Sequence, residues 1–198
     1  MIEVEIKIRI SNPDLMRKKF EKNQGIYKCS LMHEDTYYNM PEGLRNFKQT
    51  DEALRLRKSL KYNINENGKD QEIEYFITYK GKKMGTSTKT REEIDLLIED
   101  HKKMMKILTI LGFQKVMTVK KERELYKFKF KEHSIGALID YLPILNQHFI
   151  EVEYLTDSSE KIEESQNILF DFLNLLGIKK EESITKSYLE LIIEKIKT

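Results

Sequence analysis

Glu3-Val4-Glu5-Ile6-Lys7 alternates charged and apolar side chains without a break. Along an extended chain, successive side chains point to opposite faces. Glu3, Glu5 and Lys7 therefore share one face, and Val4, Ile6 and Ile8 share the other. One charged strand face turned to water would be ordinary. Here the pattern recurs: Glu151-Val152-Glu153 repeats the acidic pair, and Arg55-Leu56-Arg57 and Lys121-Glu122-Arg123 supply basic counterparts. Such strands suit a closed sheet with a charged lumen and an apolar exterior.

The alternation predicts a strand over residues 2–10. Ser11-Asn12-Pro13-Asp14 then opens a helix, with a capping side chain and Pro in the first turn. Its apolar stripe is Leu15, Met16, Phe20 and Ile26, and Gly25 marks its end. Residues 28–39 read as extended and Pro41-Glu42-Gly43 as a turn. Strands at 53–60 and 72–80 flank a polar hairpin whose tip holds Asn67-Gly68. A loop at 81–89 leads to a strand at 91–98. The next helix spans 100–111 and closes at Gly112, with Met104, Ile107, Leu108 and Leu111 on one face. Two separate alternating segments follow at 114–124 and 125–131, then strands at 136–141 and 149–155. A long amphipathic helix covers 158–176, ending at Gly177, and a shorter one covers 184–196. About eight short strands joined mainly by hairpins favour a barrel or a sandwich, α+β and mainly β. No linker divides the chain, so residues 1–198 are expected to form one domain, with 156–198 as a C-terminal helical extension.

Of the 198 residues 34% are charged, yet the net charge is +2. That balance argues against a dedicated nucleic-acid or membrane-surface binder and suits acidic and basic clusters that meet at one site. Cys29 is the only cysteine, which excludes an internal disulfide and a cysteine zinc site. A cytoplasmic location is expected, because no signal pattern and no apolar run near the roughly 18 residues of a membrane span is found.

The acidic set is Glu3, Glu5, Glu151 and Glu153, with Asp140 on the preceding strand. Residues two apart on a strand lie roughly 6–7 Å apart on one face. Two such pairs can converge on one ion, and all-oxygen ligands suit Mg²⁺ or Mn²⁺. The basic set is Lys7, Arg55, Arg57, Lys80, Arg91, Lys121 and Arg123. Arginine forks match phosphate oxygens, and lysine adds a mobile point charge. A triphosphate with its metal would satisfy both sets. A solvated strand face is the plainer alternative for any single pair. Tyr37 reads as a packing residue or as a lumen hydrogen-bonder. His33, His101, His133 and His148 show no metal-ligand spacing and read as surface or structural. The 81–87 stretch lacks the order of a phosphate loop and reads as a flexible loop.

An ordered series of motifs carries a resemblance. It runs from Glu3-Val-Glu-Ile-Lys7 through His33-Glu-Asp-Thr-Tyr-Tyr-Asn39, Thr50-Asp-Glu-Ala-Leu-Arg-Leu-Arg57 and Tyr79-Lys-Gly81. It continues through Arg91-Glu-Glu-Ile-Asp95, Lys121-Glu-Arg123 and Phe149-Ile-Glu-Val-Glu153, and Ser187-Tyr-Leu-Glu-Leu191 adds to it in the tail. Over roughly 1–155 the chain resembles the CYTH superfamily, the triphosphate tunnel metalloenzymes. These include CyaB-type class IV adenylyl cyclases, thiamine triphosphatases and inorganic triphosphatases. The resemblance implies an eight-stranded antiparallel barrel, open as a tunnel, that binds a triphosphate with a divalent metal. It implies that Glu3, Glu5, Glu151 and Glu153 face the metal, with Asp140 and Glu93 as further acidic tunnel positions. Lys7, Arg55, Arg57, Lys80, Arg91, Lys121 and Arg123 would bind phosphate. Lys7, with Tyr37, would orient or activate the nucleophile. Pro143-Ile-Leu-Asn-Gln-His148 departs from the Leu-Gly-rich turn of the family, which bears on the tunnel mouth and so on specificity.

The expected activity is CyaB-like: ATP to cyclic AMP and pyrophosphate. An inorganic or thiamine triphosphatase comes next, then a non-catalytic triphosphate or polyphosphate binder. The expected partner is a nucleoside or other triphosphate, with no nucleic acid and no membrane. The stripe Ile162, Leu169, Phe172, Leu173 and Leu176 packs inside the molecule or against a second copy in a homodimer.

Overall fold

The computed structural model describes residues 2–63, 71–84, 88–156 and 158–197. The expected Asn67-Gly68 hairpin tip and the Gly85-Thr86-Ser87 part of the next loop lie outside the described residues. The elements in order are β1 (Ile2–Ile10), α1 (Pro13–Lys22), β2 (Ile26–Asn39), α2 (Phe47–Thr50), β3 (Ala53–Tyr62), β4 (Glu72–Lys80) and β5 (Arg91–Ile98). Then follow α3 (His101–Ile110), β6 (Gln114–Phe130), β7 (His133–Leu142), β8 (Gln147–Thr156), α4 (Ile162–Leu175), β9 (Ser183–Ile184) and α5 (Tyr188–Lys197).

The strands hydrogen-bond in the order β5-β4-β3-β2-β6-β7-β8-β1, and β1 pairs back onto β5. The sheet is thus a closed, eight-stranded antiparallel barrel. The closing pairing is short, Ile2 with Glu92 and Glu3 with Arg91. Further along the same strand, Lys7 and Ile8 pair with Ile184 and Ser183, so β9 adds a ninth strand beside the seam.

The apolar half of the opening stretch builds the core outside the barrel. Val4, Ile6 and Ile8 join Ile135, Ile139, Ile150 and Val152 under Ile168, Leu169, Phe172 and Leu173 of α4. Burying each such side chain stabilises the fold by about 1.5–3 kcal/mol. The stripe of α4 is therefore intramolecular. Phe20 of α1 packs edge-on against Tyr126 and Phe128. A small second cluster sets Leu108, with Met104 and Met105, over Tyr38 and Leu56. Among the described residues no helix is long and apolar enough to cross a membrane.

Several local expectations need correction. α1 starts as read, with Asn12 accepting from the Leu15 amide at 2.9 Å. However, it ends at Lys22, and Leu15 and Ile26 are exposed, leaving Met16 and Phe20 as its buried face. Gly25 serves a close approach instead: a Cβ there would lie 2.4 Å from the Phe128 ring. In α3, Ile107 and Leu111 are exposed. Residues 114–130 form one 17-residue strand rather than two segments. The last helix begins only at Tyr188, because Ser183-Ile184 is spent on the strand pairing with β1.

Strand direction sets what gathers at each end of the barrel. β2 ends, β3 begins, β4 ends, β5 begins, β6 begins and β7 ends at one mouth. The segment around α2, residues 81–84 and 88–90 and the 143–146 turn therefore crowd there, and α5 joins them. The turn that departs from the family pattern is made, with Asn146 at φ 49° and Lys195 of α5 donating to the Ile144 carbonyl at 3.1 Å.

A charged tunnel as candidate active site

Alternation delivers the lumen. The charged pairs that alternate with apolar residues along β1, β3, β6 and β8 turn away from the apolar coat and help line a cavity of about 760 Å³. Twelve of the fourteen side chains expected at the site reach its wall: Glu3, Glu5, Tyr37, Arg55, Arg57, Lys80, Arg91, Glu93, Lys121, Arg123, Glu151 and Glu153. Lys7 and Asp140 do not. Both are wholly buried one layer behind it.

The basic wall is organised by a residue the sequence reading overlooked, Asp35. Its carboxylate takes a two-pronged bond from Arg57 at 2.6 and 2.8 Å. Lys121 lies 3.6 Å away and Arg55 4.0 Å away. Burial works against that charge, but the three cations, led by Arg57, hold the carboxyl well below the usual range. Lys121 pays the converse: burial and then Arg123 bring its ammonium down to about 8. Arg55 donates to Thr78 at 2.9 Å, while its Nε is buried without a partner. Half-exposed Asp95 lies 3.6 Å from Arg55, so two carboxylates against three cations still leave this wall with spare positive charge. His33 belongs to the same wall. It is buried, with Nδ1 unpartnered, so it is not a surface residue, and burial followed by the charge of Arg57 keeps its ring neutral.

The acidic wall joins three strands. Glu5 and Glu153 face one another across β1 and β8, as do Lys7 and Glu151. Gly136 lies under Glu153, where any Cβ would meet the carboxylate oxygen at 2.7 Å. Burial raises the Glu3 carboxyl well above its usual range, and the charge of Glu93 adds to it. Glu93 itself pairs with Lys80. Against the cost of burial, Lys80 brings it down to about 2.

Lys89, also overlooked, bridges the Glu5 and Glu151 carboxylates and lies 3.3 Å from the latter. No alternation could have exposed it, since it stands in a connection before β5. Lys7 reaches Glu151 at 3.3 Å, donates to the Lys186 carbonyl at 3.0 Å and lies 3.6 Å from the centre of the Tyr188 ring. Burial and then the charge of Lys89 lower its ammonium to about 7.

Asp140 is fully engaged. Arg123 grips both its oxygens at 2.9 and 2.6 Å, and the Tyr188 hydroxyl donates to it at 2.7 Å. Arg123 also donates to Glu151 at 2.8 Å. Tyr188 thus plugs the tunnel beside Lys7, and Leu189 and Ile193 of α5 complete the wall there.

A divalent cation fits this donor set. Among the described residues no three acidic, histidine or cysteine side chains converge as ligands, and Lys89 contacts both Glu5 and Glu151. The available oxygens are all carboxylate, as hard cations prefer. Burial and Glu93, and after them Glu5 and Glu153, disfavour a charge on Glu3, which a cation there would relieve.

Comparison with known proteins agrees with this architecture. A family model described as CYTH domain matches residues 1–188. A protein of Methanocaldococcus jannaschii, named "Putative adenylate cyclase", is 38% identical over 192 residues, covering 96% of this chain and 98% of its own. The solved structure of a Pyrococcus horikoshii protein shares 36% identity with a TM-score of 0.82, over 98% of this chain and 99% of that one. A Hippeastrum protein, described as revealing a dominant triphosphatase activity, shares the fold at 13% identity, with a TM-score of 0.61 over 98% of this chain and 96% of its own.

Proposed function

This chain belongs to the CYTH domain family, and on that premise we propose that it is a divalent-metal-dependent enzyme acting on ATP as a class IV adenylyl cyclase. The observation that carries the proposal is the facing of an acidic and a basic wall across one cavity. Arg55, Arg57 and Lys121 share a single buried carboxylate. Their surplus charge, with Lys80 and Arg91 nearby in the wall, suits the phosphate chain. Glu3, Glu5, Glu151 and Glu153 would hold Mg²⁺ or Mn²⁺, which supplies charge neutralisation at the phosphoryl oxygens when bound.

In the cyclase reaction the ribose 3′-hydroxyl attacks the α-phosphorus in line and pyrophosphate leaves. The chain's part is to hold the phosphates rigidly, so that preorganised cations meet the charge that develops on them. Tyr37, in the wall beside Arg55, is placed to orient the nucleophile. Asp140 has no oxygen to spare for a metal, so its part is to fix Arg123. Lys7 stands behind the wall, so it acts by holding Glu151 and Tyr188. Tyr188 and α5 keep water from one mouth.

Triphosphate hydrolysis is the second reading, favoured by a polar wall that is indifferent to which phosphorus is attacked. Incubation with ATP, thiamine triphosphate or inorganic triphosphate plus Mg²⁺ or Mn²⁺, followed by phosphorus NMR, separates the cases. Cyclic AMP with pyrophosphate supports the cyclase, and orthophosphate the hydrolase. Tight binding without turnover would leave a triphosphate-binding protein. Glu151→Gln should lose metal-dependent turnover, and full retention would refute its placement at the metal.

A further inference from the structure

Lys89 is held in an unusual way. Its backbone amide donates to the Glu5 carbonyl at 2.9 Å. Its neighbours Thr88 and Thr90 are buried, bond to one another through their hydroxyls at 2.6 Å, and Thr88 accepts from Gln166 of α4 at 2.8 Å. The main chain is therefore pinned on both sides to β1 and α4, and the four-carbon side chain is the part free to swing. Its ammonium sits where Glu5 and Glu151 converge. Lys7 and Arg123 also meet Glu151, and Lys89 is the cation that spans both carboxylates, whose like charges burial would otherwise set against each other.

Resting on the proposed placement of Glu5 and Glu151 at the metal, we infer that Lys89 is a tethered counter-cation that occupies the metal's place in the empty tunnel and is displaced onto the triphosphate when metal and substrate enter. A divalent ion on Glu5 and Glu151 would lie next to the ammonium, and like charges at that distance repel strongly in a water-poor site. The side chain must leave, and the nearest anion left to it is the phosphate chain. Metal alone must push Lys89 off its carboxylates, whereas metal with triphosphate gives the ammonium a phosphate to meet. The two ligands therefore help one another, and Lys89 carries the coupling. No metal-binding role need be given to Lys89 itself. It is a positioning residue that sets the order of occupancy.

The inference predicts opposite signs for two ligands. In Lys89→Met, Mn²⁺ alone, followed by electron paramagnetic resonance of the free ion, should bind about tenfold tighter than in the unaltered protein, an effect within the usual range of couplings between sites. Inorganic triphosphate added to the Mn²⁺-loaded protein, followed by calorimetry, should bind about tenfold weaker. A residue that only braces the fold would weaken both. Unchanged or weaker Mn²⁺ binding overturns the inference. Should Lys89→Met not fold without metal, Lys89→Gln, which can still donate to both carboxylates, gives the same comparison. Glu5→Gln added to either variant separates the layers. If Glu5→Gln abolishes Mn²⁺ binding while Lys89 substitution leaves it unaltered, the inference alone falls. If Mn²⁺ binding ignores Glu5 altogether, the placement of the metal falls with it.

Discussion

Asp140 shows how little a residue's type says about its task. Read as a carboxylate in an acidic set, it belonged with the metal. In the structure it is the counter-ion of Arg123 and the acceptor for Tyr188. Asp140→Ala should therefore cost about 3–5 kcal/mol in urea denaturation, the usual loss when a buried charge is left with an incomplete partner set. Its Mn²⁺ affinity should stay within a few-fold of the unaltered protein. Lys7 gives a pH prediction. Its ammonium titrates at about 7 in the fold, against a usual value of 10.5. Between those values the unfolded chain holds a proton that the folded chain has lost, so this residue makes stability rise with pH across the window. Unfolding curves at pH 7 and pH 9 should show a smaller rise for Lys7→Met than for the unaltered protein. At this scale alternation made most of the wall legible. Asp35 was equally legible, since it lies two residues before Tyr37 on the same strand face. Lys89 was not, because a connection has no period.

β6 explains an error at the scale of elements. Its inward residues continue as Lys121, Arg123 and Leu125, but its outward face changes from Glu122 and Glu124 to Tyr126 and Phe128. The change marks where α1 and α4 begin to cover the barrel, with Arg17 of α1 gripping Glu124 at 2.9 Å on the boundary. A change of covering reads like a break in the strand, although the backbone pairing is continuous across it. The tail misled differently: Ile184 keeps the helical spacing of Tyr188, Leu191 and Ile192, and only pairing with β1 makes Ser183 and Ile184 extended. Tyr188 anchors that tail. Tyr188→Phe removes a hydrogen bond to a charged oxygen and should cost about 1.5–3 kcal/mol. Tyr188→Ala should cost about 3–5 kcal/mol through the cavity it leaves. Hydrogen exchange should also quicken in both variants at Ser183 and Ile184, where the tail joins the sheet.

The whole molecule reverses the usual arrangement of a small barrel, with its apolar core outside under the helices and its charges within. That inversion was legible because β1, β3, β6 and β8 repeat it. Closure was not legible in the residues alone, because the seam is two residue pairs between strands about ninety positions apart. The seam also pairs Glu3 of one wall with Arg91 of the other. A metal-bound triphosphate spanning the walls should therefore tighten it. With Mn²⁺ and inorganic triphosphate at about a hundred times the dissociation constant, stability should rise by about 2.7 kcal/mol, read as an upward shift of the melting temperature. Arg91→Ala should reduce that shift.

The position of β1 has a consequence for how the molecule is made. It precedes all of its partners, β8, β5 and β9, along the chain. Until residues 147–156 have been synthesised, Val4, Ile6 and Ile8 have no sheet to enter, and the carboxylates beside them have no opposite wall. Contacts so distant along the chain make for slow, late assembly. β1 is thus among the last strands to settle.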